Sequence, residues 1–170
     1  MSESANTSGI TVLGIDPGSQ CLGWGLVRES SGVLRLLDCG TVRPKSIVFE
    51  QRLGEIFIAL TAVIRQYSPD EAAVENVFVQ KNVLSALKLG QARGAAIAAC
   101  AAAELPIVGY EPSMIKKTLV GSGRAEKSQV SFMVGRILGV KPTWAVDAGD
   151  ALGCAICHCN TRRMQRLTGL

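Results

Sequence analysis

Two short apolar runs in this chain each end on an acid. Ile10–Ile15 runs into Asp16, with Pro17 and Gly18 immediately behind it, and Ala72–Val74 runs into Glu75. A short apolar run bounded by turn residues reads as a buried strand. A carboxylate at the end of such a strand is costly to desolvate unless a cation or a polar partner compensates it. The chain must therefore fold so that its strand ends meet positive charge. An α/β domain, which gathers strand ends and helix starts along one edge, does this. Asp147 and Asp150 supply two more acids, three residues apart at the start of a helical segment, with Cβ atoms ~5–6 Å apart on one face. Alone, that pair reads first as acids favoured by a helix N-terminus. With Asp16 and Glu75 it makes a set of hard oxygen donors suited to Mg²⁺ and points to metal-dependent phosphate chemistry.

The net charge is +4, from 18 Lys and Arg against 14 Asp and Glu. Setting the four acids aside as ligands leaves ten acids against 18 bases, an excess of +8. That balance suits a polyanionic partner better, although a mildly basic soluble protein explains the charge as well. With 48% hydrophobic residues there is enough apolar material for one packed core. Residues 1–9 are polar and Ser-rich and read as a disordered tail without the basic start and apolar centre of an export signal. The most apolar stretch, Gly94–Ala103, is ten residues long, and a membrane span needs ~20. A cytoplasmic protein with no membrane association is expected.

Six cysteines include Cys154-Ala-Ile-Cys157-His158-Cys159, which superficially matches a haem or zinc pattern. The segment continues an apolar helix through Ala151, Leu152, Ala155 and Ile156, and consecutive helical residues cannot converge on one tetrahedral ion. The expectation is buried thiols acting as small hydrophobes and a structural role for His158. Gly121-Ser-Gly-Arg-Ala-Glu-Lys127-Ser128 approaches a phosphate-binding loop, but Glu126 stands where glycine must precede the lysine. Arg124 and Lys127 remain candidates for contacting a nucleic-acid backbone, with a plain solvated loop as the alternative.

Spacing predicts three extended segments, Ile10–Asp16, Leu22–Arg28 and Val33–Val42, joined by turns as an antiparallel meander. A helical stripe follows at Leu53, Ile56, Phe57, Leu60, Val63, Ile64 and Tyr67, then a strand over Glu71–Glu75. A helix rich in small residues is predicted over Asn82–Ala103, a strand over Pro106–Tyr110, and helices near Ser113–Val120, Lys127–Leu138 and Val146–Cys159. There is no internal repeat and no long linker. The expected organisation is one domain over residues 10–160, followed by a basic tail over 161–170 bearing Arg162, Arg163 and Arg166.

Gly14-Ile-Asp-Pro-Gly-Ser19, Val74-Glu-Asn-Val-Phe78, Ser85-Ala-Leu-Lys-Leu-Gly-Gln-Ala-Arg-Gly94, Ala125-Glu-Lys-Ser-Gln-Val130 and Asp147-Ala-Gly-Asp150 occur in this order. Together they resemble the RuvC family of bacterial Holliday-junction resolvases from about Ile10 to Asn160. The first motif is shared with many actin-like and ribonuclease-H-like proteins; the central string and the ordered set are specific. The resemblance implies a ribonuclease-H-like α/β fold, a mixed five-stranded sheet flanked by helices, acting as a homodimer. It implies Asp16, Glu75, Asp147 and Asp150 as ligands of Mg²⁺, two ions per subunit, and a four-way DNA junction as substrate. It also implies that Phe78 stacks on a junction base, that Lys116 and Lys127 contact DNA phosphate near the cut, and that the RuvA–RuvB branch-migration complex is a partner. The family carries Asp or His at the position of Asp147, Asn76 and Gly149 are neutral variations, and the tail after Asn160 has no counterpart.

The residues agree with that chemistry. Two Mg²⁺ ions ~3.5–4 Å apart serve the attacking and leaving oxygens of an in-line displacement. Asp16, ending the central strand, is the natural bridging ligand, and Lys127 would stabilise charge on the scissile phosphate. Without the resemblance, Phe78 reads as a core residue. Two rival functions fit less well: an actin-like ATPase, which needs a duplicated domain, and a junction-binding module that has lost catalysis, which would not need all four acids.

Overall fold

The computed structural model describes residues 9–77 and 82–169. Three antiparallel strands open the chain: β1 (Ile10–Asp16), β2 (Leu22–Ser30) and β3 (Val33–Val42). Helix α1 (Phe49–Tyr67) then crosses to β4 (Glu71–Glu75), which pairs parallel with β1. Helix α2 (Val83–Ala102) crosses to β5 (Ile107–Tyr110), parallel with β4. The sheet order is β3-β2-β1-β4-β5, with β1 at the centre. Helices α3 (Pro112–Val120), α4 (Lys127–Leu138) and α5 (Val146–Thr168) complete the chain. This is the mixed, helix-flanked, ribonuclease-H-like sheet that the sequence motifs imply.

Two cores lie on the two faces of the sheet. Leu13, Ile15, Leu22 and Leu26 pack under Ile56, Leu60 and Ile64 of α1 and the small residues of α2. The stripe predicted for α1 is the stripe it buries, with Leu53, Phe57, Val63 and Tyr67 at its margins. On the other face Val12, Val27 and Ala73 meet α5, which α3 and α4 cover in turn. A helix covered on all sides must be apolar all round, and α5 is buried without interruption from Ala151 to Cys159. Cys154, Cys157 and Cys159 belong to that core as small apolar side chains. His158 is also buried, bonded to Tyr110 Oη at 2.8 Å and to Glu71 Oε2 at 2.6 Å.

Glycine sets how closely α5 approaches the sheet. A Cβ on Gly14 would lie 2.0 Å from the Ala151 carbonyl oxygen, and one on Gly23 would lie 1.9 Å from that of Asp147. Both contacts are with backbone, so no side-chain rotation would relieve them.

One boundary differs from the sequence reading. Helix α5 does not end at Cys159 but runs to Thr168, so the basic segment expected to be a tail from residue 161 is largely helical. Asn160 and Thr161 are weak helix formers, but tertiary bonds override them: Arg162 Nε donates to Glu71 Oε1 at 2.9 Å. The stop comes at Gly169, in the left-handed conformation typical of a helix C-terminus.

Candidate active site

Because β1 and β4 are adjacent and parallel, their carboxyl ends emerge together. Alternation along a strand sends Val12, Gly14 and Asp16 towards α5, and Glu71, Ala73 and Glu75 to the same side. Asp16 and Glu75 therefore face the first turns of α5, which carry Asp147 and Asp150.

The proximity has an electrostatic consequence. Asp16 is pushed up to about 8, first by burial and then by Glu75, Asp150 and Asp147, with partial relief from Lys127. Glu75 is pushed up to about 7 by burial and then by Asp150, while Lys127 and Lys116 pull it down. The four acids and both lysines share one electrostatic neighbourhood.

Lys127, the first residue of α4, donates Nζ to Asp150 Oδ2 at 2.8 Å. Its side chain is 70% exposed against 21% for Asp150, so the ammonium reaches in from solvent. Glu126 caps α4 reciprocally with Gln129, which fixes where Lys127 begins its reach. The glutamate that excludes a phosphate-binding loop thus has a local role of its own. Cys21, in the β1–β2 turn, donates its thiol to Asp147 Oδ2 at 3.0 Å. Burial and this bond raise the Cys21 pKa.

With Asp147 on Cys21 and Asp150 on Lys127, no three acid, imidazole or thiol groups among the described residues converge tightly enough to hold one ion. Each of those two carboxylates is engaged through one oxygen and keeps the other for a cation. The donor set fits such cations: four carboxylates, all hard oxygen, two of them lifted towards neutrality by mutual repulsion and burial. Divalent ions would reverse that shift.

Beside the acids opens a cleft of about 340 Å³, lined by Asp16, Pro17, Glu75, Asn76, Val77, Pro112 and the first turns of α2. Phe78 lies outside the described residues; its neighbour Val77 is on the cleft wall. Arg124 is exposed in the loop before α4.

The sequence reading missed a group behind Glu75: Arg93 of α2, Asn76 after β4 and Glu111 before α3, linked by hydrogen bonds. The available signal was a lone arginine in the middle of the otherwise small-residue segment Ala92–Ala96.

The family model described as crossover junction endodeoxyribonuclease RuvC matches residues 12–158. The chain is 62% identical over 161 residues to the RuvC of Nitratidesulfovibrio vulgaris strain Hildenborough, covering 95% of this chain and 97% of the relative. Identity to the RuvC of Oleidesulfovibrio alaskensis is 66% over 161 residues, with the same coverage of both chains. Among solved structures, Thermus thermophilus RuvC in complex with a Holliday-junction substrate superposes with a TM-score of 0.84 at 34% identity, covering 91% of this chain and 96% of that one. With the strand-end acids, the sheet order and near full-length identity in agreement, the chain belongs to the RuvC family of crossover junction endodeoxyribonucleases.

Proposed function

We propose that the protein is a Mg²⁺-dependent, structure-selective endonuclease that resolves four-way DNA junctions by paired symmetric nicks. The observation that carries this reading is the meeting of Asp16, Glu75, Asp147 and Asp150 at one edge of a fold whose relatives are junction nucleases. Two Mg²⁺ ions bound by these four acids would supply an activated water and stabilise the leaving 3′ oxygen. Asp16, at the end of the central strand, would be one of the residues that hold them.

The remaining steps belong to the chain's own groups. Lys127, exposed and tethered through Asp150 among the described residues, would swing onto the scissile phosphate and balance the charge that develops there. Lys116, half-buried on α3 and close enough to Glu75 to lower its pKa, would hold the neighbouring phosphate. Phe78 would stack on a base at the junction centre, next to the cleft that Val77 lines.

A two-fold junction cut at two symmetric points calls for two sites related by a two-fold axis. The homodimer is supported by an apolar line on α2: Val83 and Leu87 are exposed, and Gly90 and Gly94 leave open space above the backbone. Six free thiols fit the reducing cytoplasm. The RuvA–RuvB branch-migration complex is the partner that family membership suggests.

The deciding test is cleavage of an end-labelled four-way junction in Mg²⁺ with excess unlabelled linear duplex as competitor. Two symmetric nicks that vanish in chelator support the reading. Binding without nicking would instead make the protein a non-catalytic junction binder.

A further inference from the structure

Glu75 is the last residue of β4, where β5 still holds the backbone and β1 no longer does. On the β1 side pairing ends at Ile15 opposite Val74, so the Glu75 carbonyl faces no strand. Arg93 of α2 takes over, donating Nε to that carbonyl oxygen at 3.1 Å. The N–H of the same peptide unit, from Asn76, donates to the Tyr110 carbonyl at 2.8 Å. The peptide that leaves Glu75 is therefore pinned at both its polar ends, by β5 on one side and by α2 on the other.

The guanidinium does more than cap a strand. Its Nη2 donates to Asn76 Oδ1 at 2.6 Å, and Asn76 Nδ2 donates to Glu111 Oε1 at 2.9 Å. The amide is oriented by its neighbours, oxygen towards the cation and nitrogen towards the carboxylate. Glu111 is the residue before α3, the helix that bears Lys116. The other Glu111 oxygen is buried without a hydrogen-bond partner among the described residues, so Asn76 is the contact that holds this carboxylate. Room for the chain of bonds exists because position 109 lacks a side chain: a Cβ there would lie 2.5 Å from Asn76 Oδ1 and 3.1 Å from Arg93 Nη2.

We propose that Arg93 is a positioning residue for the metal-binding carboxylate of Glu75, acting through the Glu75–Asn76 peptide and the Asn76–Glu111 link. The inference rests on the reading of Glu75 as a Mg²⁺ ligand. The role asks of Arg93 no contact with metal or DNA. It fixes the direction in which the backbone presents Glu75, and it locks α2, β4 and α3 into one frame. Partners that orient a metal ligand commonly matter ~10–100-fold in metal affinity or activity when removed. Arginine is required because one planar fork must satisfy two acceptors at once, which a lysine ammonium on a flexible stem does poorly.

The test compares the full-length parent with Arg93→Gln, Arg93→Lys and Gly109→Ala. Two quantities are read: the Mg²⁺ concentration at the midpoint of the metal-induced rise in melting temperature, and the Mg²⁺ dependence of junction cleavage. Arg93→Gln is expected to raise both midpoints ~10–100-fold while junction affinity in Ca²⁺ stays at the parent's. Arg93→Lys should fall between Gln and parent. Gly109→Ala, which displaces the network without deleting any of its groups, should shift the midpoints in the same direction. A merely structural Arg93 would lower the melting temperature in chelator and leave both midpoints where they were, and that result overturns the proposal. Should Arg93→Gln fail to fold, the midpoints of Arg93→Lys and Gly109→Ala decide by the same criterion. A parent that shows no Mg²⁺-dependent cutting overturns the functional reading itself, and the positioning role with it.

Discussion

Asp150 is at once a candidate ligand and the partner of Lys127, and a single substitution separates these from folding. Asp150→Asn removes a charge from a pair whose lysine is largely exposed. Such pairs contribute only ~0–1 kcal/mol, so melting temperature and junction binding should stay near the parent's. Cleavage should fall by orders of magnitude, and a gel assay showing near-parent cutting would remove Asp150 from the site. The two lysines should separate as well. Lys116→Ala should weaken junction binding and flatten its salt dependence, whereas Lys127→Ala should slow single-turnover cleavage with little change in affinity. Equal losses of affinity alone from both would refute the transition-state role of Lys127. Phe78 rests on its sequence company, between Glu75 and the polar Gln80, Lys81 and Asn82. Phe78→Ala should spare stability and spoil cleavage of intact junctions, with partial rescue by mismatches at the crossover and tolerance of Phe78→Trp. A destabilisation of ~3–5 kcal/mol on urea unfolding, the cost of deleting a buried phenylalanine, would make it a core residue instead.

At the scale of elements, the active site is a consequence of how α5 lies on the sheet. Asp147 and Asp150 reach Asp16 only because Gly14 and Gly23 let the helix backbone approach the strands. Gly14→Ala would force the Ala151 carbonyl away from its 2.0 Å contact with the new Cβ, and overpacking of this kind costs ~1–3 kcal/mol or more. The expected result is a lower melting temperature together with a loss of cleavage disproportionate to it, because the shift moves Asp150 from Asp16. Unchanged cleavage per folded molecule would show that the site tolerates the displacement. Strand-ending acids, the meander, the α1 stripe and the i,i+3 pair were legible in the sequence because each is a local pattern with its own period. The length of α5 was not, because the bond from Arg162 to Glu71 joins residues far apart in sequence and defeats a weak local preference. Cys21 and Arg93 escaped for a related reason. Each acts on an acid from a different element, Cys21 through its thiol on Asp147 and Arg93 through backbone and amide behind Glu75.

For the whole molecule, the acid cluster ties folding to pH and to metal. Asp16 at about 8 and Glu75 at about 7 both hold protons more tightly folded than unfolded, where ordinary values near 4 apply. Between those limits unfolding releases protons, so stability is highest at the acid end of the window and declines as pH rises through it. Glu71 has the opposite sign: its bonds to His158 and Arg162 outweigh burial and lower its pKa, so its contribution is lost only as pH falls below the usual carboxylate range. A window from pH 5 to pH 8 therefore isolates the active-site acids from it. In chelator, the melting temperature should fall across that window, and Asp16→Asn should flatten the fall and melt above the parent at pH 8. Mg²⁺ competes with the proton for the same oxygens, so its stabilisation of the parent should grow with pH and largely cancel the decline. Calorimetry of Mg²⁺ binding at pH 7 in buffers of different ionisation enthalpy should register proton release in the parent and less in Asp16→Asn. A decline of equal slope in parent and variant, or Mg²⁺ stabilisation independent of pH, would show that Asp16 does not set the balance between metal and proton.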